Sequence, residues 1–469
     1  MRWIGLDLGT THLKAILYDD EARLVVARAS CVTPVRMGVE GAAHDADQIA
    51  YRSLALLAEV TASASSGPPP AGLAIAGLGE EVVLRDGAGR AVEETLAWYD
   101  PRGREEAAAF HHRGAPALHD RFPPDPTFSL FKLMWLRSHR PGAWARTSGI
   151  LDLSGHVLAR LGAPSTMDWS HASRTGLFDL AAPAWDPATL AAVDLPREWL
   201  PALMPSGTPV GRIDARVARR LGLPQDMTLV TGGHDHLCGA FASDVRQAGE
   251  VYLSAGTSEA QLAVTDGPVA TRADPLDQGR FVDERHCYVH ANVPAGQVFG
   301  QWLELLYQGD AGAMYSEVSR VPAGSGGIRF HLGRVGESEH LCGLTPTSGR
   351  AEIMRAVLEG SALASARVTE RVAGAATDRR RMVVSGQAAK NDLWCGLRAG
   401  ITGRTLEIVD EPEASALGAA LLAQRAVTGR ADEAIVPRTF FAPSPEMLAL
   451  GDALRDAYGS PPASEVATP

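Results

Sequence analysis

Two short segments, one in each half of the chain, place glycine and hydroxyl side chains directly after a run of apolar residues. The first is Asp7-Leu8-Gly9-Thr10-Thr11, and the second is Ala255-Gly256-Thr257-Ser258. Glycine lets backbone N–H groups approach phosphate oxygens, and hydroxyl groups can donate to the same oxygens. Asp7 adds a carboxylate, which is a ligand that Mg²⁺ prefers. One such segment is also typical of an ordinary hairpin turn, but its repetition predicts two phosphate-binding turns.

A further carboxylate follows a pair of glycines in Gly232-Gly233-His234-Asp235-His236. An aspartate between a buried strand and a helix suits a general base, which takes the proton of a hydroxyl that attacks a γ-phosphorus. Two alternatives stay open at this point. Asp235 could simply cap the helix, or His234 and His236 could belong to a zinc site, although only one further ligand is nearby.

The segment from Ser385 to Trp394 runs from a strand pattern through small residues into a helix pattern that begins around Asn391. Small residues let a flat ring lie against the backbone, and a helix N-terminus offers polar contacts. We therefore predict adenine contacts from Gly386, Gln387 and Asn391. The alternative is an ordinary strand–helix loop with an N-cap.

These candidate residues must be positioned by strands that end where the glycines begin. Apolar patterns predict strands at 2–18 (with a turn), 24–29, 73–76, 229–233, 251–264 (with a turn) and 382–385. Helices are predicted at about 47–64, 349–373, 390–401 and 414–426. Because the strand–turn–strand pattern of 4–17 recurs at 251–264, we predict two related domains.

The bulk composition favours a globular protein with more than one core. The chain has 469 residues and a formal net charge of −11, with no dense run of Lys and Arg, so nucleic-acid binding is not expected. No apolar stretch approaches membrane-spanning length, no signal peptide is expected, and five scattered cysteines indicate neither a disulfide framework nor a zinc site. We expect a cytoplasmic protein.

Seven motifs in order resemble those of the FGGY carbohydrate kinases, over about residues 1–425. They are Asp7 to Thr10, Trp98 to Arg102, Phe131 to Leu136, Gly232 to Asp235, Gly256 to Ser258, Gly386 to Trp394, and Glu413 to Ala420. The resemblance implies an α/β fold with two RNase H-like domains of the actin/Hsp70/sugar-kinase superfamily and an interdomain cleft. We place an N-terminal, sugar-binding domain at 1–246, a C-terminal, nucleotide-binding domain at 247–455 and a flexible tail at 456–469.

The same resemblance implies roles for the candidate residues. Asp235 matches the catalytic base, Asp7 the carboxylate associated with Mg²⁺, and Thr10, Thr11, Gly256, Thr257, Gly386, Gln387 and Asn391 the positions that bind ATP. Trp98 falls in the sugar pocket, to which we also assign Glu80 and His236. A homodimer is a further possibility in this family.

The substrate-reading segment Gly79-Glu80-Glu81 departs from the xylulokinase pattern, since Glu80 stands where a histidine is expected. It also departs from the glycerol kinase pattern, since Gly79 replaces an arginine and Thr127 a tyrosine. A pocket carboxylate favours a neutral polyhydroxylated substrate over an acid sugar, unless Glu80 and Glu81 are merely solvated loop charges. We predict ATP-dependent phosphorylation of a terminal hydroxyl of a neutral ketose such as a ketopentose. A sugar alcohol as substrate, or a non-catalytic ATP-binding regulator, is the alternative.

Overall fold

The computed structural model describes residues 1–63, 67–113, 125–256, 259–269, 276–333, 339–374, 381–430 and 436–458. Thr257 and Ser258 of the second predicted phosphate turn lie outside these ranges. The chain forms two compact units. Unit 1 comprises Met1–Asp244, Asp266–Tyr288 and Glu413–Ile435, and unit 2 comprises Val245–Thr265, Val289–Pro412 and Val436–Pro469. The predicted division at residue 246 stays a prediction.

The centre of unit 1 is a six-stranded sheet with the order β5-β6-β4-β1-β2-β3. Its strands are β1 (Arg2–Leu8), β2 (His12–Asp19), β3 (Leu24–Val32), β4 (Pro70–Gly77), β5 (Pro209–Arg212) and β6 (Thr228–His234). β1, β2 and β3 form an antiparallel meander, whereas β1, β4 and β6 run parallel to one another. Every residue of β1 is buried, as expected of a central strand covered on both faces.

In unit 2, six strands of a seven-stranded sheet follow the same plan, in the order β9-β8-β7-β10-β11-β12. Its strands are β7 (Val251–Ala255), β8 (Glu259–Thr265), β9 (Cys287–Val293, of which the last five residues belong to unit 2), β10 (Arg381–Ser385), β11 (Thr405–Val409) and β12 (Arg438–Phe441). β7 and β8 form an antiparallel hairpin, and β7, β10 and β11 run parallel. The duplicated strand–turn–strand pattern of the sequence therefore corresponds to equivalent hairpins in the two sheets.

Five helices pack against the two central sheets. They are α1 (Ala46–Ser63), α2 (Asp235–Ala242), α3 (Arg350–Gly374), α4 (Asp392–Thr402) and α5 (Ala414–Thr428). α5 belongs to unit 1, although much of unit 2 precedes it in sequence. It packs on β1 so closely that a Cβ on Gly5 would lie 1.8 Å from the carbonyl oxygen of Ala416. Glycine is thus required where the helix meets the strand.

The remaining elements of the described chain are short strands and peripheral helices. The strands are Arg36–Gly38, Gly41–His44, Val82–Arg85, Thr95–Leu96, Gly149–Asp152, Thr166–Asp168, Phe178–Asp179, Ala184–Trp185, Ala202–Met204, Asp277–Arg280, Arg329–His331 and His340–Cys342. The α-helices are Arg104–Arg113, Ser129–His139, Pro141–Trp144, Leu153–Leu161, Trp169–Ala172, Pro187–Ala192, Ala215–Leu221, Ala295–Tyr307, Ala311–Val318 and Pro445–Tyr458. Short 3₁₀ segments are Arg197–Trp199, Ser325–Gly327 and Gln387–Lys390.

The predicted strands and helices are confirmed to within a few residues at their ends. The last helix continues through Tyr458, so the first three residues of the predicted tail are helical. The tyrosine hydroxyl accepts a bond from the backbone N–H of Phe330 at 3.1 Å, which anchors this end of the helix. The rest of the tail lies outside the described residues. No helix in the described ranges has the length and apolar character that a membrane span requires.

Candidate active site

The predicted catalytic and substrate residues of unit 1 follow three neighbouring parallel strands. In the register of the sheet, Gly77 at the end of β4 lies beside both Leu8 of β1 and His234 of β6. Asp7, Glu80 and Asp235 therefore lie at one edge of the sheet, where the carboxyl ends of the strands meet. Crevices at this edge are the usual ligand sites of open α/β sheets.

Asp7 is a buried carboxylate whose Oδ1 has no hydrogen-bond partner within the described chain. Burial raises its pKa to about 8, and the negative charge of Asp235 adds to this effect while Lys14 opposes it. Lys14 itself pairs with Glu413 at 2.8 Å. Two neighbouring carboxylates with an unpaired buried oxygen form a place where a divalent cation is electrostatically favoured.

Asp235 is the first residue of α2, and its Oδ1 accepts from the backbone N–H of His236 at 2.6 Å. The N-cap residue of α2 is His234, so the alternative reading of Asp235 as the helix cap is wrong. The His236 side chain is partly exposed, with Nε2 3.9 Å from Asp235 Oδ1. Within the described ranges, no three His, Cys, Asp or Glu side chains are grouped as a metal site requires.

The first phosphate turn is joined to the predicted sugar pocket by one hydrogen bond. The indole Nε1 of Trp98 donates to Thr10 Oγ1 at 3.1 Å, so the Thr10 hydroxyl keeps its own proton for another acceptor. The Trp98 backbone is held on both sides, because its N–H donates to Glu81 at 3.0 Å and its carbonyl accepts from Lys132 at 2.8 Å. The structure thus brings together Thr10, predicted to bind ATP, and Trp98, predicted to bind the sugar, whereas Thr11 is exposed.

Glu81 and Lys132 are buried charges that sequence reasoning did not assign to the site. Burial raises the pKa of Glu81, against the opposing charges of His44 and Lys132. Burial also lowers the pKa of Lys132 to about 8, although several carboxylates oppose that shift. Both residues act on the backbone of Trp98, and such long-range pairing leaves no local signal in the sequence.

Glu80 differs most from its prediction. Its carboxylate receives Arg174 Nε at 2.5 Å, and only 8% of the side chain is exposed. The alternative of a solvated loop charge is therefore wrong for Glu80, and also for the buried Glu81. Because the Arg174 guanidinium is shared between the carboxylates of Glu80 and Asp277, the three side chains keep one net negative charge, and Glu80 is not the bare carboxylate that the sequence predicted. Arg174 itself was missed.

A buried polar cluster that contacts His234, the residue before the predicted base, was also missed. The backbone N–H of His234 donates to Ser170 Oγ at 2.9 Å, and the Ser170 hydroxyl in turn donates to Asp168. His171 also pairs with Asp168, and its Nε2 lies 3.2 Å from the carbonyl oxygen of Gly77. Burial alone would lower the pKa of His171, but the charges of Asp168 and Asp152 raise it to about 10. Asp168 thus connects His171, which contacts the end of β4, with Ser170, which contacts the end of β6.

The predicted nucleotide residues of unit 2 also lie at one sheet edge. Ser254 of β7 pairs with Ser385 of β10, so Gly256 and Gly386 follow neighbouring strands. Gly386 has a φ of 111°, and a Cβ there would lie 2.3 Å from the carbonyl oxygen of Ala255. A side chain is thus excluded where the sequence predicts that a flat ring approaches.

Gln387 and Asn391 flank the start of α4 in unit 2. Gln387 is exposed in a 3₁₀ segment. The Asn391 side-chain oxygen caps α4 by accepting from the N–H of Trp394 at 3.1 Å. The capping alternative is therefore correct for that oxygen. The NH₂ group of the Asn391 side chain can still donate to a ligand. Thr257 lies outside the described residues.

Comparisons with known proteins find similarity over most of the chain. Residues 2–242 match the model of the FGGY family of carbohydrate kinases, N-terminal domain, and residues 329–427 match the C-terminal domain of the same family. A xylulose kinase of Klebsiella pneumoniae is 27% identical over 92% of this chain and 91% of its own. A glycerol kinase of Bordetella pertussis is 31% identical over 90% of this chain and 88% of its own.

Among solved structures, a ligand-bound xylulose kinase from Lactobacillus acidophilus has a TM-score of 0.90 at 20% identity, and the match covers 97% of this chain and 96% of that one. These likenesses confirm the predicted fold class. The named relatives are kinases of different substrates. The comparisons therefore establish the type of reaction but not the acceptor substrate.

Proposed function

The chain belongs to the FGGY family of carbohydrate kinases, and we propose that it transfers the γ-phosphoryl group of ATP to a terminal hydroxyl of a neutral ketose. It is a phosphotransferase by family, and the finer proposal concerns its acceptor and its residues. The observation that carries the proposal is the edge of the unit 1 sheet at which Asp7 lies near the end of β1 and Glu80 and Asp235 follow β4 and β6.

In the proposed reaction Asp235 is the general base. It accepts the proton of the sugar hydroxyl while that oxygen forms its bond to the γ-phosphorus and the bond to the departing ADP oxygen breaks. The Thr10 hydroxyl, whose oxygen already accepts from Trp98, is free to donate to a phosphate oxygen. Gly256, Thr257, Gly386, Gln387 and the Asn391 amide are the proposed nucleotide contacts. Thr11, at the exposed tip of the turn, is proposed as a further phosphate contact.

Mg²⁺ fits the same edge because Asp7 has an unpartnered buried oxygen and a second carboxylate nearby. Asp7 would hold the ion directly or through water, and the ion would neutralise phosphate charge during transfer. The roles of Trp98 as a wall of the sugar pocket and of His236 as a substrate contact are likewise proposals.

A sugar alcohol is the second candidate acceptor. A glycerol kinase is the more identical of the two relatives described above, and Glu80 held by Arg174 can accept from a hydroxyl of either compound class. Glycerol itself is disfavoured, because Gly79 stands where the glycerol kinase pattern has an arginine. The structure leaves no room for a side chain at this position, since a Cβ on Gly79 would lie 2.7 Å from the ring of His234.

The test is an ATP-consumption assay with matched ketopentoses and pentitols, using the wild-type chain, Asp235→Asn and the control Asp214→Asn. Asp214 also lies at a helix start, where it caps Ala215–Leu221 by accepting from two backbone N–H groups. We expect Asp235→Asn to lower kcat by at least about 10²-fold with ATP binding retained, and Asp214→Asn to keep wild-type kcat. Equal rates for wild type and Asp235→Asn on the best acceptor would refute the assignment of the base.

A further inference from the structure

Arg174 is a guanidinium buried at the predicted sugar pocket, with 4% of its side chain exposed. Its Nε and Nη2 atoms both approach Glu80 Oε1 at 2.5 Å, and Nη2 also lies 3.1 Å from Asp277 Oδ2. The guanidinium carbon lies 4.9 Å from the centre of the Phe128 ring. The guanidinium plane is therefore fixed by two carboxylates and an aromatic face, all within unit 1.

Two hydrogen-bonding atoms of this pair are left over. Arg174 Nη1 is buried and makes no hydrogen bond of good geometry within the described residues. The Tyr288 hydroxyl is also buried and without a hydrogen bond there, and it interacts with the same guanidinium. The bonds from Arg174 end on Glu80 Oε1, and the described chain gives Oε2 no hydrogen bond. A buried N–H donor without a partner destabilises the folded state by about 1–3 kcal/mol. Such a donor at a predicted substrate site indicates a hydrogen-bond acceptor on a ligand that binds reversibly.

The backbone around Gly79 brings this pair beside the base. A Cβ on Gly79 would lie 3.1 Å from Arg174 Cγ on one side and 2.7 Å from the His234 ring on the other. His234 directly precedes Asp235. Glu80 also adopts a left-handed backbone conformation with a φ of 63°, which is unusual for a residue other than glycine and is a form of strain found at ligand sites.

We propose that Arg174 and Glu80 form one donor–acceptor pair that reads two neighbouring oxygens of the acceptor substrate. Arg174 Nη1 donates to one oxygen, either a carbonyl or a hydroxyl, and Glu80 Oε2 accepts from the hydroxyl beside it. The ligand class is a neutral compound with adjacent oxygens, because Arg174 offsets only one of the two carboxylates that it touches. This inference rests on the proposed function and adds to it a specificity residue.

The experiment is a cycle that combines protein variants with substrate analogues. kcat/KM is measured for the best acceptor and for its monodeoxy analogues, each lacking one oxygen, with wild type, Arg174→Gln and Arg174→Lys. The control is Arg2→Gln, because Arg2 is also a buried arginine of unit 1 paired with an aspartate, Asp19 at 3.0 Å. It lies at the opposite end of β1 from Asp7.

We expect Arg174→Gln to lower kcat/KM for the full acceptor by about 10- to 100-fold, mainly through KM. For the one analogue that lacks the contacted oxygen, the same variant should cost less than about threefold, since wild type has already lost that bond. Arg174→Lys should restore the Tm but not the discrimination, because an ammonium cannot donate in the fixed directions of a guanidinium. Arg2→Gln should leave kcat/KM and the analogue pattern unchanged.

Equal losses for the full acceptor and every analogue would overturn the proposal and leave Arg174 a purely structural residue. Full recovery of the analogue pattern by Arg174→Lys would overturn it too. If wild type phosphorylates no sugar or sugar alcohol, the proposed function fails instead. The pair can then still be tested by the rise in Tm on adding the same compounds, which wild type should show and Arg174→Gln should not.

Discussion

Replacing Ser170 by alanine removes a hydroxyl that serves two buried partners. Ser170 Oγ accepts from the backbone N–H of His234 at 2.9 Å and donates to Asp168 Oδ1. Ser206 provides a matched control, because its hydroxyl donates to the same Asp168 oxygen at 3.1 Å. Ser206→Ala therefore removes a similar bond to the carboxylate and leaves the bond from His234 intact.

The expected difference between the two variants follows from the one backbone group that Ser170→Ala leaves buried and unpaired. An unsatisfied buried N–H costs about 1–3 kcal/mol, so the free energy of unfolding should fall by about that much more in Ser170→Ala than in Ser206→Ala. His234 immediately precedes the proposed base. Because a displacement of about 1 Å at a reacting group can cost about 10²-fold in rate, we expect kcat to fall by about 10- to 100-fold in Ser170→Ala.

The assay pairs denaturant unfolding with steady-state phosphorylation of the best acceptor, for wild type and both variants. The KM for ATP should stay near its wild-type value, since within the described residues the hydrogen bonds of Ser170 go to Asp168 and His234 and not to the predicted phosphate turn. The reasoning is refuted if Ser206→Ala matches Ser170→Ala in both kcat and stability. It is also refuted if Ser170→Ala loses stability as expected but keeps the kcat of wild type.

Three further substitutions test the charge of His171, the packing of α5 on α2 and the hydroxyl of Thr10. His171→Gln should destabilise by about 3–5 kcal/mol near pH 6, as loss of one partner of a buried pair does. The pKa of His171 is about 10 in the folded protein and 6.5 ordinarily, so the stability difference between wild type and variant should shrink as pH rises from about 6.5 to 10. A stability difference that grows with pH would contradict a charged His171. Gly418→Ala should cost at least about 1–3 kcal/mol in denaturant unfolding, because its Cβ would lie 2.0 Å from the carbonyl oxygen of Cys238, and wild-type stability would disprove that contact. Thr10→Val should raise the KM for ATP by about fivefold. Thr10→Ser keeps the hydroxyl that accepts from Trp98 and should leave this KM unchanged. Equal KM values for the two variants would exclude a role for the hydroxyl.

The sequence predicted those parts of the molecule that depend on local pattern. The hairpins around Gly9 and Gly256 and the strand that leads to Asp235 were recognisable because apolar periodicity, glycine and hydroxyl residues occur together within a few positions. The sequence predicted that Thr10 and Trp98 belong to the nucleotide and sugar sites of one enzyme, but it did not predict the hydrogen bond between them. The bond joins residues 88 positions apart, and no local pattern specifies such a bond.

The charge state of the pocket could not be predicted in the same way. Glu80 alone indicates an acidic pocket, and only the fold brings Arg174 onto its carboxylate from 94 positions away. No element was predicted from the sequence around Asp168, which the structure places at the N-cap of a four-residue helix. The contribution of this cluster to the site comes from Ser170 and His171 reaching β6 and β4, and tertiary contacts of this kind leave no periodic trace.

The place of α5 in the chain bears on how the protein is made. Unit 1 begins with the first strand, yet its sheet is covered by a helix whose residues are synthesised roughly 170 positions after Asp244, about 10–40 s later at ~5–20 residues per second. During that interval the apolar surface of β1 that receives α5 has no permanent cover. That surface therefore stays available for other contacts until residue 428 has been synthesised, and a fragment ending at residue 246 would never receive its helix.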